Sequence, residues 1–215
     1  MRPESREAAI YVSWEREVQA GIADLAIPQE VRGALGFVSM KKVIDWLSSP
    51  PTWFAPLGEG DPIAGRDAFL RQTFARAIEG LNRRFGGDTD AWRYGDPRFK
   101  HVLLHHPLSR AVDEKTRELL EVGPASRGGD GYTVGQTGFG DNQTSGASFR
   151  IITEAGDWDA AVFMNTPGQG GNPEDPMYRN LFDGWVKDRF FPLYYSRDRV
   201  EAALAERLEL DPGTR

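Results

Sequence analysis

Cysteine is absent from the 215 residues, which excludes disulfides, thiolate nucleophiles and every thiolate-ligated metal site. Histidine is nearly absent too, so imidazole chemistry is confined to His101, His105 and His106. No run of about 18 consecutive apolar residues occurs, so no membrane-spanning helix is expected and no membrane partner is assigned. The opening residues, Met1-Arg2-Pro3-Glu4-Ser5-Arg6-Glu7, carry two acids and no apolar stretch, so no export signal is read there. Positive charge is in deficit. With 26 Lys and Arg against 32 Asp and Glu, the net charge is −6, and a nucleic-acid partner is not expected.

What is present suffices for a folded core. Hydrophobic residues make up 40% and aromatic residues 11%, and a chain of this size buries about 70% of its unfolded surface. The first half reads as helical. Glu7 to Ala23 places Ile10, Trp14, Val18 and Ile22 on one face, and Glu30 to Leu47 does the same with Val31, Leu35, Val38 and Ile44. Pro28 separates the two, and Ser48-Ser49-Pro50-Pro51 ends the second. A Pro/Gly-rich loop then runs to Gly65. Ala64 to Phe85 is the strongest helix, with Phe69, Leu70, Phe74, Ala77, Ile78, Leu81 and Phe85 on one face and Gly86-Gly87 as its stop.

The second half is mixed. Glycines crowd the stretch from Gly128 to Gly146, which reads as a loop over a surface or a close backbone approach. Ala147 to Glu154 and Trp158 to Asn165 form a hairpin through Ala155-Gly156-Asp157, with apolar residues on both faces, so a sheet covered on both sides is expected. Asp175-Pro176 opens a helix carrying Tyr178, Leu181, Phe182 and Trp185, and Ser196 caps another through Leu208. The fold class is α+β, a helical first half followed by a late β-hairpin and C-terminal helices. It is taken as a single partial domain over 1–215, with a helical part (1–65), a helix and His-Pro-Leu-Ser segment (66–127), and a Gly-rich loop, hairpin and terminal helices (128–215).

Candidate chemistry is sparse. His101 and His105 would face one ion if helical, but Val102-Leu103-Leu104 reads as a strand, which sets them about 13 Å apart. No metal site is therefore assigned. Gly128-Gly129-Asp130-Gly131 matches no phosphate-loop pattern, and its aspartate would repel a phosphate. Ser148 with His106 and Asp130 could be imagined as a triad, but no GxSxG elbow surrounds Ser148. Asp141-Asn142-Gln143-Thr144-Ser145 is either a self-satisfied turn or the lining of a pocket beside the sheet, with the turn favoured. No catalytic residue is named from these patterns, and substrate-binding residues remain unassigned.

Residue strings carry more than composition does. Trp92-Arg93-Tyr94-Gly95, Phe99-Lys100-His101, His106-Pro107-Leu108-Ser109, Gly128-Gly129-Asp130-Gly131-Tyr132-Thr133-Val134, Gly140 through Arg150, and Pro167-Gly168-Gln169-Gly170-Gly171-Asn172-Pro173 follow one another in this order. With Tyr178, Trp185, Phe191-Pro192-Leu193 and Leu208-x-Leu210-x-Pro212, they resemble the C-terminal part of the large subunit in the penicillin acylase (penicillin amidase) family. The match is specific over about residues 65 to 215 and weaker before. Gly170 stands where that family usually has serine, and Met177 where it commonly has histidine.

The resemblance implies part of an αββα N-terminal-nucleophile hydrolase core. In that family a serine freed by self-cleavage attacks a linear amide, and its own α-amino group acts as the base. These 215 residues contain no Gly-Ser and no Ser-Asn dipeptide, so the family's nucleophile is not found among them. The resemblance therefore implies a fragment inactive alone, with the upstream remainder of the acylase (small subunit and N-terminal part of the large subunit) as partner. The family's structural calcium is held by residues upstream of this segment, so no cofactor is expected within it. The alternative is a non-catalytic binding or scaffolding domain that uses the Gly-rich loop and the sheet.

Overall fold

A computed structural model describes residues 1–35 and 38–210. It has mixed α+β architecture in two units, Met1–Lys100 and His101–Arg215. No described helix is long and apolar enough to cross a membrane.

The first unit is built on two long helices, α1 (Arg6–Ala26) and α4 (Pro62–Phe85). Each starts on a side-chain cap. The Ser5 hydroxyl accepts the Ala8 N–H, and the Asp61 carboxylate accepts the Ile63 N–H with Pro62 at the first helical position. Gly86, at φ 91°, ends α4, as the Gly-Gly stop predicts. Between them lie α2 (Gln29–Leu35) and α3 (Met40–Ser48). The single helix expected over 30–47 is thus divided, because the Ser39 hydroxyl accepts the Lys42 N–H and begins a new helix there. Positions 36 and 37 of that expected helix lie outside the described residues.

The loop expected after Pro51 is not open chain. Thr52–Gly58 forms a 3-10 helix that buries Phe54 against Phe69 of α4. Gly65 makes this possible, since a Cβ there would lie 2.0 Å from the Phe54 carbonyl oxygen. Two apolar clusters result. One joins Val18, Ile22, Val38, Val43, Phe54 and Phe69, and the other joins Ala8, Ala9, Val12 and Leu81 to Trp92, Tyr94 and Phe99. Phe74, expected on the buried face of α4, is half exposed and lies edge-on to Trp14.

The second unit holds two small antiparallel sheets. In one, β1 (His101–Leu104) pairs with β2 (Val122–Ser126), and α5 (Glu114–Leu120) lies between them in sequence. In the other the order is β3 (Arg150–Glu154), β4 (Asp157–Met164), β5 (Phe191–Pro192), with Ile151 opposite Phe163 and Phe163 opposite Phe191. The hairpin turn falls at Gly156, φ 95°. Its expected cover is missing: Ile152 is 56% exposed and Trp158 55%, while Ala161 and Met164 are buried.

The terminal helices are shorter than the periodicity suggests. Pro176–Tyr178 is a single 3-10 turn capped by Asp175, and α6 (Phe182–Val186) starts afresh. The helix after Ser196, α7, covers only Arg197–Ala202, and Leu204 and Leu208 are exposed. Without a partner surface, propensity alone does not hold so short an amphipathic segment. Pro212 of the C-terminal string lies outside the described residues.

Candidate functional site

The histidine segment organises a cavity with chemistry in it. Strand β1 ends at Leu104, which delivers His105 and His106 to a 3-10 turn, Pro107–Arg110. His106 caps that turn: its Nδ1 accepts the Leu108 N–H at 3.1 Å. The Asp113 carboxylate then caps α5 through the Thr116 N–H at 2.9 Å. That helix carries Arg117, whose Nε donates to the Ser109 carbonyl at 2.9 Å. His105, His106, Pro107, Ser109 and Arg117 line a cavity of about 620 Å³, with Glu121 just past the end of α5 and Arg110 at the end of the turn.

His105 Nδ1 lies 2.7 Å from Glu121 Oε1. Its other nitrogen, Nε2, is 3.4 Å from Asn142 Nδ2. The Asn142 amide is fixed by β1, its Oδ1 accepting the Leu103 N–H at 2.9 Å and its Nδ2 donating to the Leu103 carbonyl at 3.0 Å. An NH2 group therefore faces Nε2, so Nε2 accepts and the ring proton sits on Nδ1 toward Glu121. The His105 hydrogen bond is the main reason that the Glu121 carboxyl titrates below its ordinary range. The buried Ser109 hydroxyl also helps hold that carboxyl down, though it falls short of a well-aligned hydrogen bond.

This order decides the chemistry. A hydroxyl activated for attack needs the imidazole between it and the carboxylate. Here the carboxylate lies between hydroxyl and imidazole, so Ser109 is not an activated nucleophile. The cavity can bind and orient a polar group, and Arg110 and Arg117 give it a positive side.

The other sequence candidates fall elsewhere. His101 is on β1, as the strand reading requires, and shares no cluster with His105. Ser148 is exposed, the Asp130 carboxylate accepts the Tyr132 N–H at 2.8 Å, and His106 serves its cap, so no hydrogen bond joins the three. The polar run 141–145 proves to be neither a closed turn nor chiefly a pocket wall. His101 N–H donates to Asp141 O at 3.0 Å and Gln143 N–H to His101 O at 2.8 Å, so the segment lies along β1 in parallel and Asn142 stands in for a backbone unit. Gln143 is 2% exposed, and neither amide atom of its side chain has a hydrogen-bond partner.

Around Trp185 the hairpin is fastened by cations. Arg127, 3% exposed, stacks 3.8 Å from the ring centroid and donates to the Trp185 carbonyl at 2.9 Å. Burial, aided by the neighbouring Arg150 charge, pulls its pKa down to about 10, against the pull of Asp188. It stays charged at neutral pH. Arg150 pairs with Asp188 and donates to the same carbonyl at 2.6 Å. This cluster is structural. Among the described residues no group of three or more carboxylates and imidazoles gathers at one point, so none is assigned to calcium.

Sequence reasoning missed Arg110, Arg117 and Glu121. The spacing of Arg117 and Glu121, four apart after the Asp113 cap, was the available signal. The Gly170 departure has a geometric counterpart: Gly170 N–H donates to the Met177 carbonyl at 3.0 Å, and a Cβ at 170 would lie 2.9 Å from the Tyr178 nitrogen.

A family model described as "Penicillin amidase" matches residues 1–202. The chain is similar to the acyl-homoserine lactone acylase QuiP of Pseudomonas fluorescens (strain Pf0-1), 27% identical over 99% of this chain and 26% of that protein. It is similar also to the penicillin acylase 2 proenzyme of Pseudomonas sp. (strain SE83), 31% identical over 68% of this chain and 18% of that protein. The chain thus spans about a quarter or less of the length of these curated relatives.

Proposed function

Because the chain belongs to the penicillin amidase family, we propose that it is the C-terminal part of the large subunit of an amide hydrolase and does not hydrolyse amides alone. The observation that carries this is a family match across residues 1–202 in a chain a quarter as long as its relatives. The reaction it would serve is attack of a serine hydroxyl on a linear acyl amide, with an α-amino group taking the proton and the amine departing with it. Two donors complementary to the oxyanion would lower the barrier, each by about 3 kcal/mol. The serine and its terminal amine would come from the upstream remainder of the acylase (small subunit and N-terminal part of the large subunit). Acyl-homoserine lactones and penicillins, the substrates in its relatives' names, are the amide classes to try first.

The surface supports a companion. In this proposal β3, β4 and β5 belong to one sheet of an αββα core. Both β3 and β5 are edge strands, and Ile151, Ile152, Trp158 and Phe191 are exposed around them. Apolar residues gathered beside free strand edges favour pairing with more polypeptide. Any structural calcium is proposed to be held by the upstream remainder; among the described residues no group of three or more Asp, Glu or His side chains gathers.

The test is a chromogenic phenylacetyl or longer acyl amide offered to the purified chain, with and without the upstream remainder of a family acylase. Turnover is expected only when both are present. Turnover by the chain alone, abolished by Ser148→Ala, would overturn the proposal in favour of an independent serine hydrolase. A stable, monomeric chain that ignores the added remainder would favour a non-catalytic scaffold.

A further inference from the structure

We propose that the cavity between the 3-10 turn Pro107–Arg110 and helix α5 binds a small organic carboxylate. Its volume, about 620 Å³, lies within the range of sites that enclose small ligands. The lining offers donors that the fold leaves unused. Arg110 has no hydrogen-bond or ion partner among the described residues. Arg117 commits only its Nε, to the Ser109 carbonyl, so its two terminal nitrogens remain available. His106 uses Nδ1 as an acceptor, which leaves the proton of the neutral ring on Nε2 as a donor.

Charge balance selects the ligand class. Two guanidiniums face one carboxylate, Glu121, which already holds His105. One unit of positive charge remains with the imidazoles neutral. A monoanion cancels it, whereas a phosphate dianion would leave excess negative charge beside Glu121. A guanidinium fork also matches the two oxygens of a carboxylate. This inference does not depend on the hydrolase reading, because binding requires neither a companion chain nor turnover.

Isothermal titration calorimetry on the full chain tests it, with sodium hexanoate as probe and hexanol and inorganic phosphate as comparisons. Saturable one-site binding of hexanoate is expected, with none of hexanol and weaker binding of phosphate. Arg110→Gln should weaken hexanoate binding about tenfold, the usual scale for losing a charged hydrogen-bond donor. Arg110→Lys should fall between, keeping the charge but losing the fork. Since Arg110 is exposed and unpartnered, an unchanged thermal melt will show that its variants are folded. Equal hexanoate affinity in the chain and in Arg110→Gln, equal binding of hexanol, tighter binding of phosphate, or no saturation would each overturn the proposal.

Discussion

Replacing Trp185 by alanine should be the most damaging single substitution in the second unit. Its ring is 4% exposed and packs with Val102 and Met164. Its Nε1 donates to the Ala147 carbonyl at 3.1 Å, and its face carries the Arg127 guanidinium at 3.8 Å. Truncating a buried tryptophan costs about 3–5 kcal/mol through lost transfer energy and the cavity left behind. The ring contact with a desolvated cation contributes about 2 kcal/mol, part of which is already counted in that loss. A net loss of about 4–5 kcal/mol is therefore expected, against a typical total of about 5–15 kcal/mol for a domain. Urea unfolding followed by far-ultraviolet circular dichroism measures it without relying on the removed fluorophore. Trp185→Phe keeps a face for Arg127 and gives up the bond to Ala147, so about 1–2 kcal/mol is expected there. Arg127→Met should cost less than Trp185→Ala, because burial of the guanidinium offsets much of what it gains, as its lowered pKa of about 10 indicates. The reasoning fails if Trp185→Ala costs under about 1 kcal/mol, or if Arg127→Met costs as much.

Two further substitutions test local geometry. A Cβ at Gly168 would lie 2.2 Å from the Met177 carbonyl oxygen and 2.5 Å from that of Tyr178, so Gly168→Ala should lose about 2 kcal/mol or more in a thermal melt, while Ala at Gly171, where a Cβ meets nothing within 4 Å, should be nearly neutral. The Glu121 carboxyl is held below its ordinary 4.5 chiefly by His105; a lowered folded-state value contributes stability above the unfolded-state value and loses it as pH falls through the lowered one. Wild type should consequently lose more melting temperature between about pH 6 and pH 3 than Glu121→Gln does, and identical acid profiles would refute the His105–Glu121 pairing.

Part of this fold was legible because local chemistry suffices to write it. Ser5, Asp61-Pro62 and Gly86 mark the ends of α1 and α4, and a Gly-centred turn marks the hairpin. Other boundaries were not legible from periodicity. Val31, Leu35 and Val38 continue the pattern into α3, yet the chain restarts at Ser39 because a hydroxyl there competes for the backbone. Val200, Leu204 and Leu208 read as a helix face, but all three are exposed and α7 stops at Ala202. The run 141–145 was ambiguous because an asparagine can close its own turn or clamp a strand 39 residues away, and only the pairing with Leu103 decides.

By itself the sequence determined the absence of thiol chemistry, the acidic balance, the long helices and the ordered strings that resemble the penicillin amidase family. Those properties depend on residue identity and on neighbours a few positions apart, and so survive in one dimension. The tertiary structure alone decided that Arg110, Arg117, His106 and Glu121 share a cavity, that Glu121 rather than a serine meets His105, and that Arg127 lies on Trp185. Each of these needs side chains from separate segments brought within a few ångströms, and that proximity comes from chain closure, which no local pattern encodes.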